Sequence, residues 1–252
     1  MRAKKFALAL CVALSAVTAF GYWRYRVGAE HRPVAQFAFI QDPSDSIAAD
    51  CDRTVGLVER ALAAPEVGEG STITMLALGD EKTANEPRWL GHFEVPVIRR
   101  VIEGQRASAR EKQDLLANVR KRCSEVKETL RSPIFVGLKR GVEHLKVTGS
   151  PEDSRHLFIQ TDGEEFDNKA IMEALNQRPG ARAILPSPID NAGVDVKFCG
   201  MAETVGQIAG ADRRVQRKSR PRSEERADRL REVWLKLFTT PDLVSFEPYC
   251  SR

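Results

Sequence analysis

Three oxygen-bearing side chains follow the first apolar run of the chain at alternate positions. The run Phe37–Gln41 ends at Asp42, and Ser44 and Ser46 come after it. Such a run predicts a buried β-strand, and open α/β sheets bind their ligands beyond the carboxyl ends of strands. A carboxylate and two hydroxyls that converge in a tight turn are hard oxygen donors, which suit a cation of the magnesium type. The alternative is a turn that only caps the following helix, since Asp and Ser are common there too.

Two later segments extend this pattern. The strand-like run Arg155–Gln160 leads to Asp162 with Gly163 behind it, and Ser132 stands ahead of a predicted helix that opens Pro-Ile-Phe-Val-Gly-Leu. In their order along the chain, the three segments resemble the loops of the metal-ion-dependent adhesion site of von Willebrand factor type A domains. The resemblance covers roughly residues 34–250, and it departs from the family at Ser132, where the family has Thr.

The resemblance implies a site for Mg²⁺ or Mn²⁺. In the family's arrangement Ser44 and Ser46 bind the metal directly, while Asp42 and Asp162 act mainly through bound water. Ser132 binds directly in the ligand-competent state, and a Glu or Asp carboxylate of a partner protein completes the shell. Serine keeps the oxygen of threonine but lacks the methyl group that restricts the rotamer. The sequence therefore does not show how firmly this loop is held in place.

Acidic residues also crowd the loop behind Asp162. Glu164, Glu165 and Asp167 could tune the field of the site, or they could simply be exposed, which we expect.

Catalysis is not expected from this pattern. A phosphatase of the haloacid-dehalogenase type needs a second Asp two residues after the first, and Ser44 stands there. No Gly-x-Ser-x-Gly element of a serine hydrolase is present. A binding module is therefore favoured, with a metal-free scaffold of the same fold as the first alternative and a metal-dependent hydrolase as the second.

Strand and helix patterns alternate along the chain, which predicts an α/β fold. We expect a doubly wound, mostly parallel six-stranded sheet with helices on both faces. The segment Trp89–Val95 is expected to be an antiparallel edge strand, as in the resembling family. The other predicted strands are 34–41, 71–78, 157–160, 194–199 and 243–246, and helices are predicted near 47–62, 108–130, 133–147, 170–176 and after Ser223.

The N-terminus has the features of a membrane anchor. Residues 1–5 form a basic tail, residues 6–23 an apolar span, residues 24–33 a polar tether, and residues 34–252 the type A-like domain. A cleaved signal peptide is the alternative, because Val17-Thr18-Ala19 offers a cleavage site. We expect a single-pass membrane protein whose C-terminal domain is periplasmic or extracellular.

Charge gives no reason to expect a nucleic-acid partner. The net charge is +4 over 252 residues, and the basic stretch 213–222 has no interleaved aromatic residues that could stack on bases. We interpret that stretch as a solvated loop.

The cysteines of the exported part allow two disulfides. Cys51 and Cys123 fall on the apolar faces of predicted helices, which favours unpaired buried thiols for both. Cys199 ends a predicted strand and Cys250 lies just past another. In the resembling fold those strands are neighbours, which implies a Cys199–Cys250 bond.

Overall fold

The sheet can be followed in the parts of the chain that the structure describes. The structure is a computed structural model that describes residues 34–43, 51–64, 66–68, 70–79, 87–95, 104–126, 132–165, 167–176, 184–201 and 224–247. The predicted tail, anchor and tether lie outside these ranges. Within them, no helix has the length and apolar character needed to cross a membrane.

Six strands form one sheet in the order β3-β2-β1-β4-β5-β6. All neighbouring pairs are parallel except β2 and β3, which run antiparallel. The predicted fold class is therefore confirmed, including the antiparallel edge strand. The strands are β1 Ala35–Gln41, β2 Thr72–Ala77, β3 Arg88–Glu94, β4 Ser154–Gln160, β5 Asp195–Cys199 and β6 Val244–Glu247.

Helices cover both faces of the sheet, and β1 divides the core between them. Phe37 and Phe39 point to the side of α1 and α2, whereas Ala38 and Ile40 pack on the side of α3, α4 and α5. Successive side chains of a strand alternate between faces, so an apolar strand such as β1 must be covered twice. The described helices are α1 Cys51–Leu62, α2 Gly104–Ser124, α3 Ile134–Thr148, α4 Lys169–Asn176 and α5 Glu224–Leu235, with a 3₁₀ turn at Pro241–Leu243.

The second helix ends earlier than its pattern predicts. The prediction ran to residue 130, but α2 ends at Ser124. The amides of Glu125 and Val126 donate to carbonyls three residues back, at Arg122 and Cys123, which tightens the last turn and closes the helix.

Two glycines bring α3 unusually close to the sheet. A Cβ atom at Gly137 would lie 2.2 Å from Leu78 Cδ2, and one at Gly141 would lie 2.8 Å from Leu157 Cδ1. Only glycine permits this approach. As a result, Ser132, which lies just ahead of α3, is brought to the carboxyl end of β1.

The expectation of unpaired thiols at Cys51 and Cys123 was wrong. The two residues form a disulfide, with their Cα atoms 5.6 Å apart across 72 residues of sequence. Helices α1 and α2 pack side by side on one face of the sheet, and the first residue of α1 meets the last turn of α2. The apolar faces of the two helices, read from the sequence, gave no indication that the start of α1 would meet the end of α2.

Candidate metal centre

The candidate residues lie at the point in the sheet where the order of the strands reverses. From β1 the chain proceeds to β2 on one side, while β4, β5 and β6 extend the sheet on the other side. The gap between β1 and β4 is thus the topological switch point, where open α/β sheets have a crevice at the carboxyl ends of their strands. Asp42 follows β1 and Asp162 follows β4, and the Asp42 amide donates to the Gln160 carbonyl at 3.0 Å.

Asp42 is a buried carboxylate held by two hydroxyls. Ser132 Oγ donates to Asp42 Oδ1 at 2.8 Å, and Thr161 Oγ1 donates to Asp42 Oδ2 at 2.7 Å. Asp42 is 1% exposed, and Ser132 and Thr161 are 0% exposed. These contacts join the ends of β1 and β4 and the approach to α3 into one cluster.

The donor chemistry of this cluster fits a hard cation. A hydroxyl has one proton and two lone pairs, and Ser132 directs its proton to Asp42. The lone pairs of the Ser132 oxygen are then the part of the group that an electrophile meets. An amide or ammonium donor in the same place would offer no such lone pairs. Oxygen ligands of this kind are those that Mg²⁺ and Mn²⁺ prefer.

The segment around Asp162 is fixed by its own backbone and by the last helix. The Glu164 amide donates to Asp162 Oδ1 at 2.9 Å, and Gly163 has a φ of +83°. Trp234 Nε1 of α5 donates to the Gly163 carbonyl at 2.9 Å. The left-handed backbone at position 163 explains why a glycine follows this Asp.

The expectation that the three acids behind Asp162 are exposed was wrong, because Glu164 and Asp167 are half-buried and Glu165 is buried. Glu165 is only 3% exposed, because its carboxylate is surrounded by backbone amides. Burial raises the pKa of the Glu165 carboxyl, while the amide donors act in the opposite direction. Glu164 forms a two-bond ion pair with Arg226 of α5, at 2.6 and 3.0 Å, and Arg226 also donates to the Leu175 carbonyl.

A buried polar network lies directly beneath the cluster. Gln41 Nε2 donates to Thr54 Oγ1 at 2.7 Å and lies 2.9 Å from Cys123 Sγ. Thr54 Oγ1 in turn donates to Gln160 Oε1 at 2.8 Å. The two strand residues that precede the site are thus linked through α1 and the disulfide, which restrains the ends of β1 and β4 relative to each other.

Two of the five predicted ligands are in contact, and a third follows a residue of the cluster in sequence. Asp42 and Ser132 touch, and Asp162 follows Thr161, which touches Asp42. Ser44 and Ser46 lie outside the described residues. Among the residues that are described, no group of three or more His, Cys, Asp or Glu side chains is arranged to hold a metal, so hydroxyls would have to supply part of any metal shell here.

Sequence reasoning missed Thr161 and the burial of Glu165. Thr161 lies opposite Asp42 once Gln41 is paired with Gln160 in the parallel register, so an explicit register would have identified it. Glu165 carried no such signal, because a run of acids after a strand is typical of exposed loops.

The predicted Cys199–Cys250 disulfide is described at one end. Cys199 is disulfide-bonded, and its predicted partner Cys250 lies outside the described residues. β5 and β6 are neighbours in the sheet, as the predicted bond requires.

Comparisons with known proteins give similar folds at low identity. No protein-family model matches the chain, and no curated protein sequence matches it. Similar solved structures include the pilus adhesin SpaC from Lactobacillus rhamnosus GG, with 13% identity over 88% of this chain and 28% of that chain at a TM-score of 0.42. A von Willebrand factor type A protein from Catenulispora acidiphila has 10% identity over 85% of this chain and 39% of that chain, with a TM-score of 0.43.

A third similar structure is the manganese-loaded TRAP protein of Plasmodium vivax. It shares 13% identity over 81% of this chain and 74% of that chain, with a TM-score of 0.38. The chain spans only about a quarter of SpaC and two fifths of the Catenulispora protein.

Proposed function

We propose that this von Willebrand factor type A-like domain binds a partner protein through a divalent metal ion, Mg²⁺ or Mn²⁺. The supporting observation is the buried Ser132–Asp42–Thr161 cluster at the switch point of the sheet. The proposed metal ligands, direct or through water, are Asp42, Ser44, Ser46, Ser132 and Asp162.

The roles of the described residues follow from their contacts. Asp42 orients the Ser132 hydroxyl and contributes negative charge near the ion. Asp162 is held in place by the Glu164 amide. When bound, the metal supplies an electrophilic centre that a hydroxyl-rich shell leaves under-neutralised, so a carboxylate from outside is the favoured ligand. We therefore propose that the partner contributes a Glu or Asp side chain.

We further propose that the domain is displayed outside the cytoplasm on a single membrane span at residues 6–23. The Cys51–Cys123 disulfide supports this location, because disulfides persist mainly in oxidising compartments. Fractionation and protease treatment of spheroplasts test it. A domain that resists protease, or that is soluble and trimmed near Ala19, would contradict the anchor.

Two alternatives make different predictions at the same site. A metal-free scaffold would keep the fold and show no metal affinity. A metal-dependent hydrolase would show turnover that EDTA abolishes; we assign no catalytic residue and expect no turnover.

The test is a calorimetric titration of the purified full chain with Mn²⁺. Asp42→Ala should abolish binding and leave the far-UV circular dichroism unchanged. Asp242→Ala removes an exposed Asp just before β6, at the opposite end of the sheet, and should bind like the wild type. A Glu-containing peptide should then bind in Mn²⁺ but not in EDTA. Full calorimetric binding by Asp42→Ala would refute the assigned site.

A further inference from the structure

One buried carboxylate joins the two loops that carry Ser132 and Asp162. Glu165 Oε2 accepts the Phe135 amide at 2.7 Å, while Glu165 Oε1 accepts the amides of Asp167 at 2.8 Å and Asn168 at 3.3 Å. Both oxygens of Glu165 therefore face N–H donors. These donors occupy both carboxylate oxygens and have no lone pairs for a cation. We therefore interpret Glu165 as a structural bridge between the loops and not as a metal ligand.

Each end of the bridge leads directly to a proposed ligand. Phe135 is the second residue of α3, and the Ile134 amide donates to the Ser132 carbonyl at 2.8 Å. At the other end, Glu165 itself lies three residues after Asp162 in the chain. Moving the bridge would change the separation of the two loops.

The bridge also connects the starts of two helices. The amides that donate to Glu165 lie at the start of α3 and just ahead of α4. Asn168 Oδ1 in turn accepts a hydrogen bond from the Ile171 amide in the first turn of α4. A carboxylate at helix N-termini is stabilised by the free amides and by the helix dipole. The loop position is therefore set by rigid elements.

We propose that Glu165 is a positioning residue that sets the metal affinity of the site by fixing the Ser132 loop against the Asp162 loop. The inference rests on the proposed function and explains how Ser132 works without the methyl group of threonine. The rotamer is held by Asp42, and the loop backbone is held by Glu165.

Two variants separate position from charge. Glu165→Asp keeps the charge but shortens the side chain, so it cannot reach both helices. Glu164→Gln removes a charge from the same loop but leaves the bridge intact, since Glu164 pairs with Arg226. We expect Glu165→Asp to weaken Mn²⁺ binding by about tenfold, in the range for residues that orient metal ligands. Glu164→Gln should bind Mn²⁺ like the wild type. The reverse pattern would show a charge effect and overturn the inference.

A double-mutant cycle with Ser132→Ala tests whether Glu165 acts through Ser132. If it does, Glu165→Asp has little further effect on Mn²⁺ affinity once the Ser132 hydroxyl is gone. A purely structural weakening would persist in that background, and additive losses would therefore contradict the proposal.

Amide hydrogen exchange of the metal-free full chain gives a readout that does not depend on metal. Residues 132–137 should exchange faster in Glu165→Asp than in the wild type or Glu164→Gln. Unchanged exchange would refute the bridge even if metal binds. A wild type that binds no Mn²⁺ would instead refute the proposed function, together with the link from Glu165 to affinity, while the exchange data still decide whether Glu165 fixes the loop.

Discussion

The same pair of strands, β1 and β4, has a buried Asp at each end, and the two have different partners. At the carboxyl end, Asp42 accepts hydrogen bonds from the hydroxyls of Ser132 and Thr161. At the amino end, Asp153 accepts from the Val34 amide at 3.1 Å, and it also accepts from Gln36 Nε2 at 2.9 Å and the Ser150 amide at 2.7 Å. The two carboxylates are 1% and 7% exposed, so burial does not distinguish them.

The chemistry of the donors does distinguish them. The nitrogen donors to Asp153 have no lone pair to offer a cation, so these three contacts act as a structural cap. Hydroxyl donors keep lone pairs after giving their protons to Asp42. A buried acid among hydroxyls can therefore belong to a binding site, whereas a buried acid among amides is better explained by the stability of the fold. Glu165 belongs to the second kind, although it lies beside the site.

The largest expected effect comes from the disulfide beside the site end. Replacing Cys51 and Cys123 by Ala should lower the free energy of unfolding by about 4 kcal/mol, the chain-entropy estimate for a closed loop of this length. In this variant amide hydrogen exchange should rise first around α1 and the end of β1, because the lost disulfide lies at that end of the sheet. No disulfide is described at the amino end. Chemical denaturation of the wild type and of the double Ala variant, both without reductant, measures the loss, because a dithiol would also reduce the disulfide of Cys199. Equal stability of the two proteins would contradict the covalent restraint.

A smaller loss of stability, with no loss of metal affinity, is expected at the amino end. Asp153→Ala removes the acceptor of one buried donor, Gln36 Nε2, and of two part-buried amides. An unsatisfied buried donor costs roughly 1–3 kcal/mol and a part-buried one less, so we expect about 3 kcal/mol in all. Urea denaturation gives the stability, and a Mn²⁺ titration of the folded protein gives the affinity. A loss of affinity comparable to that of Asp42→Ala would remove the distinction between the two ends.

The smallest effect is a pH dependence that arises away from the site. Burial lowers the pKa of His156 in β4, while Asp195 and Glu66 act in the opposite direction. The unfolded chain then binds a proton more readily than the folded one, so stability should fall as the pH drops below the ordinary His pKa of about 6.5. His156→Gln should reduce this loss, as measured by denaturation at a series of pH values. Because the residue lies outside the candidate site, saturating Mn²⁺ should not change the difference between the variants.

The strands and the acidic residues that follow them could be predicted from the sequence, but most contacts between distant segments could not. Apolar runs that end in Asp42 and Asp162 located both strands of the switch point, because burial on two faces leaves a continuous apolar pattern. The hydroxyl of Thr161 needed the register between β1 and β4, which no local pattern contains. Cys51 and Cys123 needed the packing of two helices, and the burial of Glu165 needed the approach of α3. Each of these depends on tertiary contacts between segments distant in sequence.

The most direct test is a comparison of Asp42→Asn with Asp153→Asn in the full chain, with bound Mn²⁺ measured by electron paramagnetic resonance. Both changes remove one buried negative charge and keep the shape of the side chain. We expect Asp42→Asn to lose Mn²⁺ binding, while Asp153→Asn binds Mn²⁺ with wild-type affinity and is less stable. Wild-type affinity in Asp42→Asn, or equal losses of affinity in both variants, would refute a metal site at Asp42.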